Sequence, residues 1–125
     1  MIGINNLKTG GQPADQVIAG IQALVEELTI KLPETQIILL GTFPSGNDPK
    51  SQRRQDIGKI QENIATLGDK ENVSFLNLNP SFLNSDGSLK AELYSKDEIH
   101  LIEEGYRSWA EALLPTLNSL IANAK

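Results

Sequence analysis

"QIILLGTF", Gln36 to Phe43, is the stretch on which the reading of this chain turns. Ile37, Ile38, Leu39 and Leu40 follow one another without a polar residue between them, and Gly41 and Pro44 close the run. A short segment that is apolar on both of its alternating sides reads as a strand covered from both faces, as in a parallel sheet. Upstream, Val17, Ile21, Leu24, Leu28 and Leu32 recur every three or four residues. That spacing predicts an amphipathic helix, opened by Pro13 at its first position and closed by Pro33. Downstream comes a polar loop, "PSGNDPKSQ". Ile57, Ile60, Ile64 and Leu67 then predict a second helix with Gly68 as its C-terminal cap. "NVSFLNLN" (Asn72 to Asn79) reads as a second strand, and "NSDGSL" (Asn84 to Leu89) carries an Asp-Gly turn signal. Tyr106, Trp109, Leu113, Leu117 and Leu120 mark a long last helix whose apolar face places both aromatics in the core. Pro115 should kink that helix or remove one backbone bond.

Strands alternating with helices imply right-handed crossovers and a parallel sheet with helices on both faces. The opening "MIGINN" supplies only the last residues of a further strand. A chain that begins at a strand's end reads as cut, so the expectation is one domain, residues 1–125, lacking its first strands.

Composition narrows the function. The chain has 125 residues, 39% hydrophobic and 22% charged, which suits a folded domain and argues against disorder. Net charge −5 argues against non-specific nucleic-acid binding, which needs a basic face. Arg53 and Arg54 are read as a solvated helix face, not a phosphate clamp. No apolar run approaches the ~20 residues of a membrane-spanning helix. The N-terminus has no basic region followed by an apolar segment, so a signal peptide is not expected and the location expected is cytoplasmic. The absence of cysteine excludes disulfides, thiolate metal sites and a cysteine nucleophile. Nothing in the sequence calls for a metal or cofactor.

His100 is the only histidine, with Asp97 three residues before it and an amphipathic run after it. In open parallel sheets, sites form beyond the carboxyl ends of the strands. "GINNLKTGG", "GTFPSGNDP" and the Asp97–His100 segment all follow strands and can share that rim. Taken singly, these residues have plainer readings. A lone histidine before a helix is usually a surface or capping residue, and Asn5 is by default a turn residue. "TGG", Thr9 to Gly11, lacks the lysine and spacing of a phosphate loop and reads as a flexible connection. "FLNSDG" places Phe82 where a calcium loop needs an oxygen ligand.

Together the residues resemble the carboxyl-terminal part of the SGNH hydrolases, also called GDSL esterases/lipases, on the branch related to platelet-activating-factor acetylhydrolases. "GINN" (Gly3 to Asn6) matches a Gly-x-Asn-Asp block, with Asn6 in place of the more common aspartate. "DEIH" (Asp97 to His100) matches an Asp-x-x-His block. "LPETQIILLGTFP" and "HLIEEGYRSWAEAL" extend the likeness over nearly the whole chain. The resemblance implies a flavodoxin-like, three-layer α/β sandwich with about five parallel strands, of which the first two are missing here. It also implies roles. His100 is the general base and acid, Asp97 orients its imidazole, and Asn5 donates to the oxyanion. The family's nucleophile, in a Gly-Asp-Ser motif, and its oxyanion glycine both precede the Gly-x-Asn block, and neither is present.

Ser45, in "FPSGN", is the best local substitute, but its neighbours do not form the Gly-x-Ser-x-Gly elbow of a nucleophile. Ser81, Ser85, Ser88 and Ser95 lie in polar turn sequence. Two expectations follow. One is a serine-type carboxylic-ester hydrolase domain acting on a small ester, its serine block lying outside this chain. The other is a non-catalytic α/β remnant that self-associates or binds a complementing segment. On either, the isolated chain is expected to be inactive, and an uncovered sheet edge favours a homo-oligomer joined near Met1–Asn6 and the helix of Val17 to Leu28.

Overall fold

A computed structural model describes residues 2–8 and 11–123. The chain runs through α1 (Ile4–Lys8), α2 (Ala14–Lys31), β1 (Ile37–Leu40) and α3 (Gln52–Ala65), the last followed by a 3-10 turn at Thr66–Asp69. Then come β2 (Val73–Leu76), α4 (Asn79–Phe82), a second 3-10 turn at Ala91–Leu93, and α5 (Glu103–Asn123). β1 and β2 pair in parallel, with Ile37 opposite Val73 and Leu40 opposite Leu76. No helix among the described residues is long and apolar enough to cross a membrane.

The unbroken apolar run of β1 is explained by what lies on each side of it. Ile37 and Leu39 face one core with Val73 and Phe75, under Val17, Ile18, Ile21 and Val25 of α2 and Ile60 and Ile64 of α3. Ile38 and Leu40 face a second core with Leu76, Phe82, Leu93, Tyr94 and Trp109. Alternate residues of one strand thus serve two cores, and the result is three layers around a small parallel sheet.

β2 is shorter than the expected strand of Asn72 to Asn79, because Asn77 folds its side chain back to accept the backbone N–H of Asn79 at 2.9 Å and starts α4. The Asp-Gly turn forms with Gly87 at φ 82 and closes an antiparallel bridge between Leu83 and Leu89. Pro13 sits just before α2 and its carbonyl accepts the N–H groups of Gln16 and Val17. α5 is continuous through Pro115.

Three expectations need correction. The opening segment does not finish a strand: Gly3 turns the chain at φ 115, its carbonyl accepts the N–H groups of Asn6 and Leu7, and a short helix follows. Met1, and Thr9 and Gly10 of the "TGG" stretch, lie outside the described residues. Gly68 does not cap α3 in a left-handed conformation. It lies in the 3-10 turn, where a side-chain carbon would meet Phe75 Cβ at 2.8 Å, so close packing is what requires glycine there. Tyr106 is 53% exposed and outside the core, while Trp109 packs against the second core. The helix turns only a narrow side inward at its start, and Trp109 occupies it.

Candidate active site

Residues 94–101 form a closed loop at the rim. An antiparallel bridge joins Tyr94 to Leu101 at its base, and the Ser95 N–H donates to the His100 carbonyl at 2.8 Å. Inside the loop, Asp97 Oδ1 accepts from the Ser95 hydroxyl at 2.6 Å, the Ile99 N–H at 3.0 Å and the His100 N–H at 2.9 Å. Its other oxygen, Oδ2, lies 2.5 Å from His100 Nδ1. The Ser95 hydroxyl first, and then His100 and the two backbone N–H groups, hold the Asp97 carboxyl well below the usual carboxylate range. Asp97 is therefore an anion at neutral pH and can only accept. The neutral imidazole must carry its proton on Nδ1, which leaves Nε2 bare. The imidazole is 74% exposed, so Nε2 is open to an approaching group.

Asn5 comes from the far end of the chain. The Ile2 carbonyl accepts the Thr42 hydroxyl at 3.2 Å, which fixes the opening segment beside the end of β1. At Gly3 a side chain would crowd Thr42 Oγ1 at 3.2 Å and Val17 Cγ1 at 3.3 Å. The Asn6 side-chain amide donates to Gln12 Oε1 at 2.8 Å, and Asn6 borders the same cleft as Asn5. Asn5 and His100 line one cleft of about 350 Å³, whose apolar walls include Ile2, Phe43, Leu101 and Trp109.

A family model described as the GDSL-like lipase/acylhydrolase family matches residues 1–108. The chain belongs to that family, the SGNH hydrolases. Human platelet-activating factor acetylhydrolase IB subunit alpha1 is 32% identical over 123 residues, covering 97% of this chain and 51% of that protein. The chain thus spans about half the length of the curated relatives it matches. Among solved structures, the esterase domain of a zebrafish retrotransposon ORF1 protein aligns at a TM-score of 0.71 and 20% identity, covering 94% of this chain and 70% of that one. A GDSL-like lipase from Bacteroides thetaiotaomicron aligns at 0.68 and 20% identity, covering 86% and 53%. At such identities these likenesses speak for the fold, the α/β fold of SGNH hydrolases.

Set against that family, the serines of this chain sort clearly. Ser45 is 1% exposed, is not among the residues lining the His100 cleft, and receives Arg53 Nη1 at 3.4 Å. Ser95, which the sequence reading passed over as turn sequence, braces Asp97. The Arg53–Arg54 pair is not a freely solvated face. Both are partly buried, and the Arg54 guanidinium donates to the carbonyls of Gly46 at 3.2 Å and Gly87 at 3.0 Å. It clamps together two loops that the sequence alone leaves unrelated. Glu98 was also missed. It holds φ 57, a left-handed conformation that costs a residue with a side chain on the order of 1 kcal/mol.

Proposed function

We propose that this chain carries the histidine, aspartate and asparagine of a serine-dependent carboxylic-ester hydrolase site. The observation behind the reading is the contact of Asp97 with His100 Nδ1 in a loop whose imidazole shares a cleft with Asn5. The nucleophile is a serine on a segment bearing the Gly-Asp-Ser motif, which these 125 residues do not contain. When that hydroxyl attacks an ester carbonyl, its proton passes to His100 Nε2. Asp97 keeps the tautomer and faces the imidazolium that forms. The Asn5 amide donates to the carbonyl oxygen as it becomes an oxyanion, a contribution of roughly 3 kcal/mol in comparable sites. The protonated Nε2 then returns its proton to the leaving alcohol, and water repeats the sequence on the acyl-serine. The apolar walls of the cleft suit a small ester with a non-polar group beside its carbonyl.

The test compares the chain alone with the chain joined to the amino-terminal half of the human relative. Alone, it should hydrolyse a small ester no faster than its His100→Ala variant. Joined, it should gain turnover that His100→Ala abolishes. A His100-dependent rate from the chain alone, or a folded joined protein indifferent to His100, would refute the reading.

A second reading is favoured by the sheet edge. Among the described residues β1 has a strand on one side only, and Ile2, Leu24, Ile30 and Leu32 are exposed nearby or along α2. On this reading the chain is a non-catalytic α/β module that acts by self-association or by binding a partner chain along that edge.

A further inference from the structure

Glu98 stands between the two residues of the Asp97–His100 pair, in a backbone conformation that a glutamate rarely adopts. Its Oε2 accepts the Asn47 N–H at 2.9 Å, and its carbonyl accepts the Gly46 N–H at 3.3 Å. Among the described hydrogen bonds, these two alone tie residues 96–100 to an element outside their own loop. All the others, from Asp97 Oδ1 to the Ser95–His100 backbone bond, close the loop on itself. The receiving side is firm. Gly46 is held by Arg54, and Asn47 Oδ1 accepts the Leu89 N–H at 3.2 Å. The strained conformation is what lets one residue present its carbonyl and its carboxylate to consecutive N–H groups.

We infer that Glu98 is a positioning residue, whose paired bonds to Gly46 and Asn47 lock the tip of the loop so that Asp97 holds the His100 imidazole in the Nδ1–H tautomer. Its catalytic consequence rests on the reading of His100 as general base. The structural claim does not, because a tautomer can be read without any ester or serine.

The experiment is nitrogen-15 NMR of histidine-labelled protein, read on the neutral imidazole, whose two nitrogens report which carries the proton. In the unaltered chain the Nδ1–H form should dominate. Glu98→Ala and Glu98→Gly should both invert the ratio toward the Nε2–H form that free histidine side chains prefer. Glycine accepts φ 57 without strain, so its loss of the tautomer would assign the effect to the carboxylate, and it supplies a folded variant should Glu98→Ala not fold. Glu98→Gln, which keeps an acceptor for the Asn47 N–H, should restore the original ratio. Retention of the Nδ1–H form in Glu98→Gly, or failure of Glu98→Gln to restore it in a folded protein, would overturn the inference. An Asp97→Asn control that leaves the tautomer unchanged would remove the pair on which it depends. Absence of esterase activity in the joined protein would count against the proposed function and leave this result standing.

Discussion

Gly105 opens the last helix under the loop that carries His100, and its replacement by alanine tests that junction. In an exposed helix interior this change is favourable by up to about 1 kcal/mol, because glycine loses more backbone entropy on folding than alanine. Gly58 in α3, though half-buried, behaves as such a case, since an added methyl meets nothing within 4 Å. At Gly105 the methyl would press into the Leu93 carbonyl oxygen, far inside van der Waals contact, and would lie 2.9 Å from Leu101 Cβ. The Leu93 carbonyl cannot turn away, because it accepts the Ile102 N–H at 3.1 Å. The helix must therefore move outward by on the order of 1 Å, drawing Trp109 from its edge-on packing against Phe43, where the centroids are 5.6 Å apart. Overpacking of this kind costs ~1–3 kcal/mol. Set against the propensity gain, the expected net loss is ~2 kcal/mol at the upper end of that range. For a chain of this length that lowers Tm by about 6–10 °C, whereas Gly58→Ala should raise it by up to about 3–5 °C. Thermal unfolding followed by circular dichroism measures both. If Gly105→Ala melted as high as Gly58→Ala, Leu93 could not lie against α5 as described, and the placement of the His100 loop would fall with it.

Acid should act through Asp97. Its folded pKa is depressed, so the stability it contributes is present above the unfolded value of about 3.9 and is lost as pH falls through the folded one. The Tm difference between the unaltered chain and Asp97→Asn should accordingly shrink as pH is lowered from neutral to strongly acidic; a difference that held constant would show that the bonds to Ser95 and His100 do not form. Association should follow from the β1 edge. Light scattering coupled to size exclusion should give a mass above 13.6 kDa that rises with concentration, and a compact monomer at every concentration would refute the edge argument.

The layers were legible because they depend on local pattern. The apolar run of Ile37 to Leu40 carried the two-sided burial of β1, and the spacing of Val17, Ile21, Ile60 and Ile64 marked residues that enter the first core, whereas Leu24 and Leu32 of the same run are exposed and Ile18 and Val25 take the inward places. Asp97 and His100 could be paired on paper because three residues separate them. What the sequence withheld depends on segments that meet only after folding. Arg54 reaches Gly87, and Glu98 reaches Asn47, across stretches whose composition signals nothing but loop. The short helix at Ile4–Lys8, in a segment that reads as the loop after a strand's end, was not legible because five residues carry no helical period of their own. Tyr106 was misplaced because the apolar spacing of α5 continues onto a side that nothing in the described structure covers.

The cleft takes Asn5 from near the first residue and His100 from about 95 positions further along. Closing a loop of that length costs about 4 kcal/mol of chain entropy before any contact across it is made. β1, α3 and β2 have no such obstacle, being consecutive along the chain, and their core can form first. Refolding should then proceed in two stages, with fluorescence of Trp109, which lines the cleft, lagging behind the far-ultraviolet signal of the helices. The groups assigned to chemistry would be the last to meet on folding and the first to part when the protein begins to unfold.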